Sequence, residues 1–107
     1  MNYAEMSDFE INRAVFMATG IYYEDIMDGP IGGGSAIPFG DGCKWREYDF
    51  CNNPADMWPL IVENGIAILP YGRNGLWMAA AAGVRHHHKN PLRAAATVYL
   101  MMKEAGK

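Results

Sequence analysis

The dipeptide Asn-Pro occurs twice in the chain, at 53–54 and at 90–91, and each time a run with helical periodicity follows it. Asparagine is favoured at the N-cap of a helix. Proline is favoured at the first helical position because its missing N–H would have no partner there. The dipeptides therefore predict helices over 54–64 and 91–105. Pro59 lies inside the first of these, so we expect this helix to be kinked or to restart there.

A third helix is predicted near the start of the chain. Ser7 and Glu10 have the spacing of a capping box, in which each side chain bonds the backbone N–H of the other residue. Apolar residues then recur at helical spacing until Gly20, which suits the left-handed position at a helix end. The predicted helix covers residues 8–19.

Strand signals fill much of the remaining chain. Stretches rich in β-branched and aromatic residues predict strands at 21–27, 44–50 and 66–71. The alanine-rich stretch 76–82 is also compatible with a helix, but the turn signal at 72–75 favours a hairpin with the preceding strand. Residues 28–42 contain six glycines and two prolines and predict a flexible loop.

Taken together, these elements predict a single α+β domain over residues 1–107. We expect an antiparallel sheet of about four strands with three helices, in the order α-β-β-α-β-β-α. A chain of 107 residues is long enough to bury a core of its own. The longest uncharged apolar run, 94–102, has nine residues, whereas a membrane span needs about twenty. We therefore expect a soluble protein of the cytoplasm that is a monomer or a homodimer.

Charge is distributed unevenly along the chain. Residues 1–64 contain eleven acidic and three basic residues, whereas residues 65–107 contain one acidic and six basic residues. Such an asymmetry predicts either separate acidic and basic faces or two halves that pack side by side. An acidic face would be able to imitate DNA towards a host enzyme.

The basic segment around three consecutive histidines is the main candidate binding site. Its cations surround the predicted start of the last helix, a position that favours anions such as phosphate. Adjacent histidines of an extended chain point to alternating sides, so we expect no metal site there. Arg73 is a further candidate, and the predicted anion-binding residues are Arg85, His87, Lys89 and Arg93.

The glycine-rich loop is the second candidate site. It contains neither of the glycine patterns that bind nucleotide phosphates, so we expect a connector or a partner-binding loop. The predicted anchors of a partner are Ile31, Ile37 and Phe39.

Catalytic signals are weak. Cys43 and Cys51 are interpreted as reduced thiols. Cys51 precedes a helix start that would lower its pKa, although a buried, unreactive cysteine is the more common case. No residue lies in a nucleophile-elbow pattern. We therefore expect no enzymatic activity and no cofactor.

Three blocks of the chain resemble a known family. They are M-N-Y-A-E-M-S-D-F-E-I-N (1–12), Y-D-F-C-N-N-P-A-D-M-W-P-L-I-V-E-N-G-I (48–66) and K-N-P-L-R-A-A-A-T-V-Y-L-M-M-K-E-A (89–105). Together they resemble the NinX-like proteins, small proteins of unknown function encoded by lambdoid phages and prophages of enteric bacteria. The resemblance implies a phage origin and residence in the bacterial cytoplasm, and it provides no catalytic residues.

These observations lead to one main functional hypothesis and one alternative. The main hypothesis is a phage accessory protein that binds a host or phage protein. The alternative is a protein that binds nucleic acid or a nucleotide through residues 85–93.

Overall fold

The computed structural model describes residues 2–26, 34–40 and 44–106. Within these residues, three α-helices and two three-stranded antiparallel sheets follow a short 3₁₀ helix at Tyr3–Glu5. The elements are α1 (Asp8–Thr19), β1 (Asp25–Ile26), β2 (Ile37–Gly40), β3 (Trp45–Tyr48), α2 (Pro54–Asn64), β4 (Ala67–Tyr71), β5 (Leu76–Ala81), β6 (Val84–His88) and α3 (Pro91–Ala105). The predicted α+β class and the alternation of helices with groups of strands are confirmed. The described residues form six strands, where the sequence predicted about four, and these strands form two sheets.

All three helices begin where the sequence predicted. Ser7 Oγ accepts from the N–H of Glu10, and the Ser7 N–H donates to the Glu10 carboxylate, which completes the capping box of α1. Asn53 and Asn90 cap α2 and α3, each followed by proline at the first helical position. Pro59 lies within α2 and does not restart it. It is exposed, as is Ala55 four residues earlier, so water can hydrate the carbonyl that lacks its usual donor.

β1, β2 and β3 form the first sheet, with β2 in the centre. The prediction of a loop through residue 42 is wrong for 37–40, where all four residues are buried. Pro38 lies opposite Glu47 of β3, one residue before Phe39 and Gly40, which pair with the two described residues of β1.

β4, β5 and β6 form the second sheet, with β5 in the centre. The predicted hairpin between β4 and β5 is confirmed. β6 was not predicted as a strand. It follows a tight turn at Ala82 and Gly83, which both have positive φ values (49° and 83°). Such angles match the twist of a two-residue hairpin and favour glycine.

The core lies between α1, α3 and one face of each sheet. α3 packs against α1 and against the second sheet, and residues 94–100 of this helix are all buried. The prediction that α3 is largely buried is therefore confirmed. Phe16 of α1 packs against Phe39 of β2, with 4.8 Å between the ring centroids. In the described part of the chain, no helix has the length and apolar character needed to cross a membrane.

Candidate functional site

Arg93, a predicted anion-binding residue, is only 5% exposed in the first turn of α3. Its Nη1 lies 2.6 Å from Oδ1 of Asp8, and its Nη2 donates to the backbone carbonyls of Tyr3 and Met6. The charge of Arg93 and its two terminal nitrogens thus act inside the protein, where they hold the N-terminal segment against α3, whereas its Nε is buried with no hydrogen-bond partner among the described residues. The prediction that Arg93 binds an external anion is wrong.

The start of α3 is satisfied by groups of the protein itself. Asn90 Oδ1 accepts from the N–H groups of Leu92 and Arg93, and Asn90 Nδ2 donates to the Cys51 carbonyl at 2.6 Å and to Asn52 Oδ1 at 3.2 Å. This asparagine therefore caps the helix and also connects it to the residues that precede α2. The backbone N–H groups of Leu92 and Arg93, which could otherwise bind a phosphate at this helix start, already have a partner.

The three histidines alternate across β6, as predicted. His86 and His88 are half-buried on the side facing α3, whereas His87 is exposed on the other side. His88 Nδ1 accepts from the backbone N–H of Asn90 at 2.9 Å. Within residues 2–26, 34–40 and 44–106, no group of three or more His, Cys, Asp or Glu side chains is placed to hold a metal ion.

The environment of His86 and His88 predicts a dependence of stability on pH. Burial, with the nearby positive charges as a smaller cause, lowers the pKa of both histidines below the ordinary value of about 6.5. When the pH falls through the ordinary histidine pKa of about 6.5, the unfolded chain binds more protons than the folded protein does. The free energy of unfolding therefore falls as the pH falls. Denaturant titrations between about pH 7 and pH 5 should show this decrease, and H86Q and H88Q should each show a shallower one. A slope unchanged in both variants would contradict the prediction.

A buried polar network joins three segments near the start of α2. Asn12 of α1 is fully buried, and its Nδ2 donates to the Ser35 carbonyl at 2.9 Å and to Asp49 Oδ1 at 2.8 Å. Asn12 Oδ1 accepts from the N–H of Cys51 at 2.9 Å, and Ser35 Oγ donates to Asp49 Oδ2 at 2.7 Å. These bonds attach the segments before β2 and after β3 to α1, so the network stabilises the fold.

Three acidic residues of the first half are engaged in contacts within the protein. Asp8 pairs with Arg93, Asp49 accepts from Asn12 and Ser35, and Asp56 Oδ2 accepts from the N–H of Asp49. These three carboxylates are therefore not free to imitate the phosphates of DNA.

Cys51 is fully buried and makes no disulfide. Burial is the largest cause that raises its pKa to about 12, and the nearby Asp8 carboxylate raises it further. The helix start does not lower the pKa of this thiol, and Cys51 is the buried free cysteine expected from its sequence as the more common case. Cys43 lies outside the described residues.

The predicted partner-binding anchors lie in different places. Ile37 and Phe39 are 0% and 2% exposed on β2, where they form part of the core. Their prediction as exposed anchors is wrong because burial against α1 outweighs the loop-forming tendency of the neighbouring glycines and prolines. Ile31 lies outside the described residues.

The second sheet has one covered face and one open face. Side chains directly opposite in paired strands share a face, and successive residues of a strand alternate between faces. The face that includes Ala79 packs against α3. We call the other side the open face, and its residues are Ala67, Leu69, Tyr71, Leu76, Met78, Ala80, Arg85 and His87.

The open face is apolar and aromatic in its middle. Leu69 and Tyr71 leave 48% and 45% of their surface exposed. Tyr71 stands on β4 and His87 on β6, yet their ring centroids are only 4.1 Å apart, with 39° between the planes. The two rings therefore meet above the central strand β5. Alternation in the sequence of β4 would have predicted one face for Leu69 and Tyr71, but sequence reasoning did not single them out.

Positive charge surrounds this apolar area. No Asp or Glu occurs between Asn64 and Lys103, so none of the three strands carries a carboxylate. Arg85 is exposed on the open face. Trp77 pairs with His88, so the β4–β5 turn with Arg73 lies at the same end of the sheet as Lys89. In the described part of the chain, Arg73, Arg85 and Lys89 make no ion pair. Of the predicted anion-binding residues, Arg85 and His87 thus lie on the open face and Lys89 directly follows β6, whereas Arg93 is buried in α3.

A second exposed apolar pair lies on α2. Trp58 and Val62 are both 61% exposed and lie one helical turn apart. Neither belongs to the open face. This pair therefore supplies matched control positions for variants of the open face.

Comparison with known proteins places the chain in a family. No curated protein and no solved structure gives a significant match. Residues 2–103 match the family model described as "Bacteriophage P22, NinX". This match covers both sheets, α1, α2 and most of α3. The chain therefore belongs to the bacteriophage P22 NinX family.

Proposed function

We propose that this protein is a phage accessory protein that acts by binding a macromolecule in the cytoplasm of the bacterial host. It performs no catalytic step in this proposal, and the open face of the second sheet is the surface that the partner contacts. Family membership supports the phage origin.

One observation carries the choice of surface. On a three-stranded sheet whose other side packs on a buried helix, the open face presents exposed Leu69 and Tyr71 beside cations that have no ion-pair partner among the described residues. Contiguous exposed apolar area with a polar rim is typical of interaction sites. Aromatic residues and arginine are also the residue types most enriched at the centres of interfaces.

Two classes of partner fit a surface with this composition. A host or phage protein that presents an acidic and apolar segment would cover Leu69 and Met78 and would pair with Arg85. Nucleic acid would use the aromatic rings and the cations together. Both are consistent with the excess of basic residues in the second half of the chain.

Affinity capture from lysate of phage-infected cells tests the surface for either class. A charge at Leu69 would have to be desolvated under a partner, so L69D should reduce recovery of any specific partner about tenfold or more. V62D is the matched control, since Val62 is equally apolar and more exposed on α2 (61% against 48%). Recovered proteins and nucleic acids are both quantified. Equal recovery by wild type and L69D would show that the open face is not the binding surface.

A further inference from the structure

We infer that the ligand of the open face is single-stranded nucleic acid, with bases stacked on the Tyr71–His87 pair and phosphates bound by Arg85, Lys89 and Arg73. This inference rests on the proposed function, because it names the partner of the same surface. Three observations support the inference: the contact between the Tyr71 and His87 rings, the cations around it, and the absence of carboxylates on β4, β5 and β6.

The aromatic pair provides a place for bases. Tyr71 is 45% exposed although its ring lies against that of His87 at 4.1 Å, so part of its ring surface remains open to solvent. Every base has a flat π surface, and stacking on aromatic side chains tolerates any sequence. Sheets of RNA-binding modules stack about two or three bases in this way. Leu69 and Met78 extend the same area with apolar contacts.

The cations are placed for the backbone of the same strand. Arg85 and His87 lie two residues apart on β6, so both are on the open face, and Lys89 follows directly after β6. Arg73 lies in the turn beside it. A single-stranded nucleic acid bound along β6 would meet several positive charges and no carboxylate from β4, β5 or β6. Charge complementarity therefore favours a polyanion.

The shape of the surface selects single strands over duplex. The bases of a duplex are stacked and paired inside it, so their flat surfaces cannot reach Tyr71. The aromatic pair on an open sheet face also favours nucleic acid over an acidic protein segment, which would need the cations but not the stacked rings.

Fluorescence anisotropy with labelled oligonucleotides tests the inference on the full chain. The probes are single-stranded DNA and single-stranded RNA of one mixed sequence of about 12 nucleotides, and the same DNA as duplex. Wild-type protein should bind at least one single strand at least tenfold more tightly than the duplex. Raising the salt concentration from 50 to 200 mM should weaken binding roughly tenfold, as expected for two or three phosphate contacts.

Variants assign the binding to the open face. Y71A should lose about fivefold to a hundredfold in affinity, whereas Y71F should retain binding, because stacking needs the ring and not the hydroxyl group. R85A should weaken binding and reduce its dependence on salt. W58A is the aromatic control and K103Q the charge control, since both residues are exposed on helices outside the open face, and both variants should bind as wild type does.

The outcomes separate this inference from the proposed function. Absence of single-strand binding at low salt, or binding that Y71A and R85A leave unchanged, would overturn the inference. If L69D still abolished capture of a specific protein, the open face would remain a binding surface, but for a protein. Self-association of wild type that L69D abolishes, without oligonucleotide binding, would identify a second copy of the chain as the occupant and would also overturn the inference.

Discussion

Replacement of Arg93 by alanine is expected to lower the free energy of unfolding by about 3 kcal/mol, close to the range measured when one partner of a buried ion pair is removed. The guanidinium group contacts the Asp8 carboxylate and the carbonyls of Tyr3 and Met6. Its loss removes a donor from one partly buried carboxylate and from two carbonyls, of which the Tyr3 carbonyl still accepts from the Met6 N–H. It also releases the N-terminal segment from α3, so the packing of that segment is weakened too.

Urea denaturation of R93A, followed by circular dichroism, measures this effect. R85A is the matched control, since it removes an exposed arginine from β6 and should change the free energy of unfolding by less than about 0.5 kcal/mol. R93K should fall between wild type and R93A, because lysine keeps the charge but cannot reproduce the planar arrangement of donors. If R93A and R85A had equal stability, the structural assignment of Arg93 would be wrong.

Replacement of Asn12 by alanine should have a similarly large effect, about 2–4 kcal/mol. Its side chain is fully buried and makes three hydrogen bonds, to the Ser35 carbonyl, to Asp49 Oδ1 and from the Cys51 N–H. Each buried group that loses its hydrogen-bond partner lowers the free energy of unfolding by about 1–3 kcal/mol, because it remains without water in the folded protein. Water entering the vacated space would recover part of this amount.

The same denaturation experiment measures the N12A variant. N2A is the control, because Asn2 is exposed and its side chain makes no capping hydrogen bond. N12D offers a second test, since a carboxylate in place of the donor amide would face Asp49 at short distance. We expect N12D to be less stable than N12A at pH 7 and to recover stability as the pH is lowered towards 4, where one of the two carboxylates binds a proton. A pH-independent difference between N12D and N12A would contradict this account of the network.

The helices could be predicted from the sequence because their start signals are local. The capping box at Ser7 and the Asn-Pro pairs lie within a few residues of the elements that they begin, and each appears in the structure as expected. β2 and β6 could not be predicted in this way. β2 contains Pro38, and β6 consists largely of histidines, so local propensity opposes or obscures both strands. Each forms because a neighbouring strand pairs with it and the core buries one side.

Prediction of the binding residues met the same limit. Alternation along an extended chain groups Arg85, His87 and Lys89 on one side, and this grouping is visible in the sequence. The burial of Arg93 is not, because its partner Asp8 lies 85 positions earlier in the chain. Tyr71 gains its place in the candidate site through a ring contact with a residue two strands away, which the strand signals alone do not reveal.

The attachment of the N-terminal segment to α3 has a consequence for synthesis on the ribosome. Arg93, whose contacts with the N-terminal segment complete the packing of α1 against α3, is translated 85 residues after its partner Asp8. We therefore expect nascent chains that lack α3 to remain unfolded, with Ile11, Val15 and Phe16 available to chaperones and proteases. Folding of this part of the chain should accordingly be nearly all-or-none and should follow translation of α3.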